Sequence, residues 1–413
     1  MRILVHTFGS YGDLHPYVAL GRALRGRGHQ VTIATSALYR AKVESAGLTF
    51  LPVRPDVSFG DRELLAYVMD AKYGSERIIR YLAALVRESY EDVLDAAREA
   101  DLIVTHPITF ASVLAARKLG KAWVSSVLSP ISFLSAYDPP VLAPAPWLRR
   151  LSFLGPRING AWMRLGKQQA LAWLKPVLEL RAELQLPPAE NPLFEGQHSP
   201  ALVIALFSSL LAGPQPDWPP QTVITGFCFF DEDDNSPQLD AFLDSGPPPV
   251  VFTLGSSAVG TAGDFYLQSL HAVQRLGVRA VFLTGPQPQV LPERLPEGIL
   301  SLAYAPHFRL FSRAAAVVHQ GGIGTTAQAL RAGRPMLIVP FAHDQFDNAE
   351  RVRRLGAAEV LRRSRYTAAR AEHLLRRLLQ SSPYARHAES CGERIRAENG
   401  TAAAADAVER IVK

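Results

Sequence analysis

The run "MLIVPFAHDQFDNA", Met336 to Ala349, sets four polar side chains, His343, Asp344, Gln345 and Asn348, directly after what reads as a buried strand. A carboxylate offers acceptors and an amide offers both a donor and an acceptor, so Asp344 beside Gln345 suits the alternating hydroxyls of a sugar. His343 and Asn348 read as solvated or structural, and the competing role for Asp344 is a helix N-cap. Upstream, "VHQGGIGTT" ends a strand at His319 and places Gly321, Gly322 and Gly324 before a helix with Thr325 and Thr326 in its opening turn. Glycines let backbone approach a ligand closely, and the free N–H groups and dipole of a helix N-terminus favour an anion there. His319 can donate to the same anion. The spacing is neither GxGxxG nor GxxxxGKS, so it carries no dinucleotide or triphosphatase fingerprint. A phosphate site beside a hydroxyl site is the pairing that a nucleotide-linked sugar needs.

A second cluster is "HTFGSYGDLHPY", His6 to Tyr17, at a strand-to-helix turn. Gly9 and Gly12 let the chain turn sharply and present Asp13, whose carboxylate can take a proton from an attacking hydroxyl. A helix cap is the alternative for Asp13. His106 ends the strand "DLIVTH" and meets Asp13 if the two strands are close neighbours. It would then orient the carboxylate, or act as base itself with Asp13 as its orienting partner.

The elements that must position these residues alternate strand and helix. "ILVHT", the helical "LHPYVALGRALRGRG" and "QVTIATS" make a crossover unit of a parallel sheet. "DLIVTH", "FASVLAARKLG" and "AWVSSVLSP" continue it, with a helical stretch from Asp61 to Ala100 between. Residues 130–200 are apolar, proline-rich and partly helical, and Leu134 to Leu154 and Trp162 to Leu178 could wall a hydrophobic pocket. "AGPQPDWPPQTVITGFCFFDEDDNSPQ" then breaks the pattern with prolines and the acidic run Asp231 to Asp234, as an interdomain linker does. Alternation resumes from "PPVVFTLGSS" through "PMLIVP". The reading is an α/β chain of two doubly wound, Rossmann-like parallel-sheet domains facing a cleft. Its expected boundaries are residues 1–215 for the first domain, 216–239 for the linker, 240–390 for the second domain, and 391–413 for a helical tail that could pack back on the first.

Composition fits this size. The 413 residues imply about two domains, and 48% hydrophobic with 20% charged residues describes an ordinary folded globular protein rather than a disordered one. The net charge of +6 comes mostly from scattered arginines without a basic block interleaved with aromatics, which argues against a nucleic-acid partner. It fits a small anionic ligand or transient contact with a membrane surface. Cys228 and Cys391 have no CxxC spacing, so neither disulfides nor zinc are indicated. "MRILVHTFGSYGD" turns polar before a signal-peptide core forms, and no run of about 18 apolar residues follows. A cytoplasmic chain, peripheral at the inner face of a membrane at most, is expected, as a monomer or weak dimer.

With these residues in view the sequence resembles the family 1 glycosyltransferases of GT-B fold along nearly the whole chain. "GSYGDLHP" resembles the amino-terminal motif of the bacterial antibiotic, sterol and rhamnolipid branch, and "HQGGIGTTAQALRAGRPMLIVPFAHDQ" the donor-binding motif shared with plant enzymes. "PQPDWPPQTVITGFCFFD", "FLDSGPPPVVFTLGS" and "AHDQFDNAERV" are most similar to the rhamnosyltransferases of rhamnolipid synthesis. The resemblance implies Asp13 as the base, with His106 near where plant enzymes place an orienting aspartate. It implies Tyr304 stacking on the nucleotide base, Ala305 meeting it through backbone, and Ser256, His319, Gly321, Gly322, Gly324 and Thr325 around the diphosphate. Asp344 and Gln345 fall on the sugar contacts. Plant enzymes carry a ribose-binding glutamate where this chain has Ala327, which leaves UDP and dTDP both open, with Gln328 a conceivable substitute. The activity implied is inverting transfer of glucose or rhamnose from a UDP- or dTDP-sugar to a hydroxyl of a lipophilic acceptor, with no cofactor and no metal. The competing expectations are a noncatalytic nucleotide-sugar or lipid-binding module of the same fold, a partner subunit, and, disfavoured by its lack of a carboxylate-rich set, an epimerase.

Overall fold

The computed structural model describes residues 1–57, 61–188, 190–232, 236–285 and 291–411. The chain divides into two compact units: Met1–Asp61, Lys72–Phe230 and Asn399–Lys413 form one, and Arg62–Ala71 with Asp231–Glu398 form the other.

The first unit is built on a sheet of β1 (Arg2–His6), β2 (Gln30–Thr35), β3 (Thr49–Pro52), β4 (Leu102–Thr105), β5 (Ala122–Val127), β6 (Val203–Ala205) and β7 (Thr222–Ile224). The strand order is β3-β2-β1-β4-β5-β6-β7, with every pairing parallel. Helices cover both faces of such a sheet, so its central strands are apolar throughout rather than alternating. Leu4, Ala34, Ile103 and Trp123 accordingly pack against Leu82, Val86, Tyr90 and Val93 of the helices Gly74–Ala84 and Val86–Glu99. Chain order reverses between β1 and β4, which are hydrogen-bonded neighbours with His6 opposite Thr105. The carboxyl ends of these two strands therefore flank the switch point, where open parallel sheets leave room for ligands.

The second unit repeats the plan with β8 (Val250–Thr253), β9 (Ala280–Leu283), β10 (Ile299–Leu302), β11 (Ala316–His319), β12 (Met336–Ile338) and β13 (Ala358–Val360) in the order β10-β9-β8-β11-β12-β13. All pairings are again parallel. Phe252 of β8 stacks on Phe282 of β9 with ring centroids 4.8 Å apart, both fully buried. Each such side chain contributes about 2–3 kcal/mol on leaving water. The reversal falls between β8 and β11, and His319 closes β11 opposite Thr253 on one side and Ile338 on the other.

Two features depart from the sequence reading. Thr222–Ile224, inside the proline-rich stretch read as linker, is the edge strand β7, a place where flanking prolines cost no ladder bond. Asp233 and Asp234 of the acidic run lie outside the described residues, whereas Asp231 is held by both terminal nitrogens of Arg331, at 2.6 and 2.9 Å. The carboxy-terminal stretch is divided. The helix Ser382–Ala397 belongs to the second unit, and the helix Gly400–Glu409 packs on the helix Tyr11–Gly26 of the first. There Arg27 meets Asp406 at 2.7 Å and His29 meets Glu409 at 2.8 Å.

Candidate functional site

At the first switch point the helix Tyr11–Gly26 begins with a capping box. Ser10 Oγ accepts the Gly12 N–H at 3.2 Å, while Asp13 Oδ2 accepts the Ser10 N–H at 2.7 Å and the Ser10 hydroxyl at 3.0 Å. The cap alternative for Asp13 is thus realised, yet it engages one oxygen only. Oδ1 faces His106, whose Nε2 lies 3.5 Å away, and the Asp13 side chain stays 30% exposed. Gly9 has φ +136°, and a Cβ there would stand 2.3 Å from Asp13 Oδ2, so only glycine leaves space for the carboxylate in this pose. The Tyr39 hydroxyl fixes the same turn by donating to the Gly9 carbonyl at 2.7 Å.

His106 is buried and turned by its surroundings. Its Nδ1 accepts the Ile108 N–H at 3.4 Å, which assigns the ring proton to Nε2, the nitrogen that faces Asp13. The buried Tyr17 ring meets the imidazole edge-on at 6.0 Å, and Tyr17 itself is anchored through Ser126 to the Thr105 carbonyl. Burial pushes the Asp13 carboxyl up, but His106 and the two Ser10 donors outweigh it and hold the group below the ordinary value of 3.8. The first turn of a helix favours the carboxylate further. Nearby His6, hydrogen-bonded to Ser112, is pushed down to about 3 by burial and by the neighbouring His106, and is a neutral structural group.

The second switch point gathers the other residues. Gly255 and Ser256 follow β8 and open the short helix Gly255–Ala258. His319 closes β11, is fully buried, and accepts the Gly321 N–H on Nδ1 at 3.1 Å, so Nε2 carries the proton. Burial, with a smaller contribution from His307, pushes it down to about 3, which keeps it a neutral donor. That Nε2 has no protein partner, nor do the buried Gln320 Oε1 and Thr326 Oγ1. Each buried polar atom left unpaired costs about 1–3 kcal/mol, and these three within eight residues can serve a polar ligand.

Gly322 is the N-cap of the helix Ile323–Arg331 and supplies no side-chain cap. The first helical bond runs from the Thr326 N–H to the Gly322 carbonyl, which leaves the N–H groups of Ile323, Gly324 and Thr325 without an intrahelical acceptor. Gly321, at φ +91°, packs so closely that a Cβ would sit 2.9 Å from both the Gln345 carbonyl and Ile338 Cγ2. The glycine loop and the Asp-Gln pair are therefore one construction. Asn348 joins them: its buried amide donates to the Gly321 carbonyl at 3.0 Å and to Asp344 Oδ2 at 2.7 Å.

This decides one expectation and alters another. Of the two roles read for Asn348, solvated or structural, the second holds: it is the positioning residue that ties loop to carboxylate. Gln345 spends its carbonyl internally, accepting the N–H groups of Phe341 and Ala342 at 2.8 and 3.1 Å, so it offers a ligand donors rather than both functions. Asp344 occupies the N-cap position of the helix Gln345–Arg354 without making a side-chain cap bond, which removes the cap alternative. Tyr304 stands exposed after β10 with its hydroxyl on Glu232 at 2.9 Å, and Ala305 is buried beside it. Ala327 is buried, while Gln328 is engaged by Arg331 at 2.9 Å. Of the segments read as an acceptor wall, Met163, Leu174 and Val177 enter the core, whereas Trp147, Phe153, Leu154, Leu165 and Leu171 project to solvent.

The family model described as the glycosyltransferase family 28 N-terminal domain matches residues 3–120, and that of the erythromycin biosynthesis protein CIII-like C-terminal domain matches residues 270–411. Thus both switch points lie in or border matched segments. The chain is 32% identical to the O-mycaminosyltylonolide 6-deoxyallosyltransferase of Streptomyces fradiae, over 97% of this chain and 95% of that enzyme. It belongs to the family 1 glycosyltransferases of GT-B fold, enzymes that use nucleotide sugars. It is also 29% identical to the sterol 3-beta-glucosyltransferase of Emericella nidulans, over 99% of this chain but only 30% of that longer protein. The solved structure of the glycosyltransferase VinC in complex with DTDP shares the fold, with a TM-score of 0.70 at 22% identity, over all of this chain and 99% of VinC. Among the described residues no helix is long and apolar enough to cross a membrane.

Proposed function

We propose that this glycosyltransferase moves a hexose, glucose or rhamnose, from a UDP- or dTDP-sugar to a hydroxyl of a lipophilic small molecule, with inversion and without a metal ion. The observation that carries the reading is the Asp13 carboxylate, one oxygen capped by Ser10 and the other, part-exposed and beside His106 Nε2–H, at the first switch point. In the proposed step Asp13 takes the acceptor proton as the acceptor oxygen forms its bond to the anomeric carbon. The bond from that carbon to the diphosphate breaks on the opposite face, and the diphosphate leaves with the electron pair. His106 orients the carboxylate, because its proton already points at Asp13 and its other nitrogen is turned to Ile108.

The departing diphosphate meets the unpartnered His319 Nε2–H and the first-turn N–H groups of Ile323, Gly324 and Thr325, with Ser256 close by in the fold. Fixed donors aimed at developing negative charge do the work that a metal does in other enzymes. Asp344 accepts from the sugar hydroxyls and Gln345 donates to them. Tyr304 stacks on the base. Transfer to O-mycaminosyltylonolide and to sterols by the two relatives supports a large lipophilic acceptor, and the DTDP bound by VinC supports a dTDP donor alongside UDP.

The test pairs UDP-glucose and dTDP-rhamnose with a panel of sterol, lipid, polyketide and flavonoid alcohols, in chelator, and reads diphosphate release and the anomeric configuration of the product. Asp13→Asn is expected to lose about 10²–10⁴-fold in turnover while nucleotide affinity by calorimetry stays within twofold. Turnover near wild type in that variant, with nucleotide still bound, refutes the assignment.

A further inference from the structure

The stretch from Pro146 to Lys175 contains Arg149, Arg150, Arg157, Arg164, Lys167 and Lys175 and not one Asp or Glu. Those six cations equal the excess of the whole chain, +6, so outside this stretch basic and acidic residues balance. Glu195 and Glu179 neutralise two of them by pairing with Lys167 and Lys175, which leaves the four arginines. Those arginines sit in the turn Pro146–Leu154 and on the helix Pro156–Leu171.

The same elements expose their large apolar side chains. Phe153 is 79% exposed, Leu165 62%, Trp147 57% and Ile158 49%, with Leu154 and Leu171 also open to solvent. On the helix, Ile158, Ala161 and Leu165 recur at spacings of three and four and make one stripe, and Arg157 and Arg164, two turns apart, run beside it. The opposite side is fixed to the fold: Asn159, Met163 and Ala170 are buried, and the Asn159 amide donates to the Ala136 and Ser152 carbonyls at 3.1 and 3.2 Å. The outward stripe is therefore held in place and is not a fraying end.

We infer that this face docks the enzyme on an anionic lipid bilayer, with Trp147, Phe153, Ile158 and Leu165 at the boundary of headgroups and acyl chains and Arg150, Arg157 and Arg164 on headgroup phosphates. An apolar stripe flanked by arginines with Trp and Phe at its edge is the pattern of an interfacial helix. A second copy of the chain is disfavoured as occupant, because a twofold contact would bring the same uncompensated arginines face to face. The proposal does not rest on the reaction, since docking requires neither donor nor acceptor.

The experiment mixes the full chain with extruded vesicles of phosphatidylcholine alone or with about 30% phosphatidylglycerol, and measures co-sedimentation and the tryptophan emission maximum. Partitioning into the anionic vesicles at least tenfold above the neutral ones, weakening in high salt, is expected. Replacing Arg150, Arg157 and Arg164 by alanine lowers the anionic partition by roughly fivefold per residue. Phe153→Ser with Leu165→Ser lowers it at least tenfold and abolishes the emission shift, while the melting temperature and nucleotide binding stay at wild-type values. Equal or absent partitioning with both vesicle types at low salt, for protein that melts normally, overturns the proposal. So does a dimer in sedimentation velocity that the serine pair dissolves without any vesicle binding, which would give the face to protein contact.

Discussion

Replacing His106 by alanine tests which of two neighbouring side chains takes the acceptor proton in the proposed transfer. The imidazole presents Nε2 to Asp13 Oδ1 across 3.5 Å, and its Nδ1 already accepts from Ile108. A hydrogen bond to a charged group at good geometry is worth about 1.5–3 kcal/mol. At 3.5 Å the lower end applies, so losing it costs about 1.5 kcal/mol, roughly tenfold in kcat/KM, against about 10²–10⁴ for losing the base itself. The pH dependence has a definite sign. As the proposed base Asp13 must be a carboxylate, so kcat/KM is expected to fall as pH drops through its folded-state pKa, which lies below the ordinary 3.8. Burial pushes that value up and His106 helps to hold it down, so deleting His106 moves the acid limb to higher pH. The assay is kcat/KM against pH for wild type, His106→Ala and His106→Gln, with the glutamine restoring part of the loss because it returns a donor. A deficit as large as that of Asp13→Asn, together with a wild-type acid limb near the imidazole value of about 6.5 that vanishes in His106→Ala, would make His106 the base and refute the reasoning.

Gly321→Ala forces a Cβ to within 2.9 Å of Gln345 backbone at φ +91°, so nucleotide affinity should fall at least tenfold and the melting temperature should drop; unchanged affinity in calorimetry would mean the loop is not a ligand contact. Asn348→Ala leaves the buried Gly321 carbonyl without its donor and releases Asp344, which should cost about 1–3 kcal/mol in urea unfolding and raise the donor KM more than it lowers kcat. His6 and His319 are held down at about 3 in the folded chain, below their unfolded value, so the unfolded chain binds more protons between these limits. Their stabilising contribution is complete above about 6.5 and declines as pH falls, by roughly 2 kcal/mol each at pH 5, and urea midpoints equal at pH 7 and pH 5 would show they are not buried neutral.

Apolar runs, most of them near a glycine turn, make most of this architecture legible. β1, β4, β8, β11 and β12 lie in such runs, β4 without the glycine, and each leads to a candidate residue because a polar side chain shortly after a buried strand sits at its carboxyl edge. β3, β6, β7 and β13 span three or four residues each, as β4, β8, β11 and β12 do, but no candidate polar residue follows them, so nothing in the sequence draws attention to their carboxyl ends. Asp13 and His106 could be proposed as partners only conditionally from sequence, and the parallel pairing of β1 with β4 supplies the condition. The missed positioning residues failed for a different reason. Ser10, Tyr39 and Asn348 act through backbone atoms close in space, and nothing in residue type announces that an asparagine will reach a carbonyl 27 positions earlier. The "S-x-x-D" spacing of Ser10 and Asp13 was the one available signal, as a capping box. From sequence Gln345 reads as a sugar contact with both its functions, because residue type cannot show that two backbone N–H groups already hold its carbonyl.

The chain passes between its two units four times, at 61–62, 71–72, 230–231 and 398–399. The first unit is thus the first to be synthesised and the last to be finished. While the ribosome is still making the second unit, the helix Tyr11–Gly26 waits for the helix Gly400–Glu409, and Arg27 and His29 wait for Asp406 and Glu409. Maturation of the unit that carries Asp13 is therefore coupled to completion of the other, and a nascent or prematurely terminated chain carries an Asp13 whose supporting helix is still uncovered. Dissecting the enzyme at residue 230 would reproduce that immature intermediate rather than an autonomous domain.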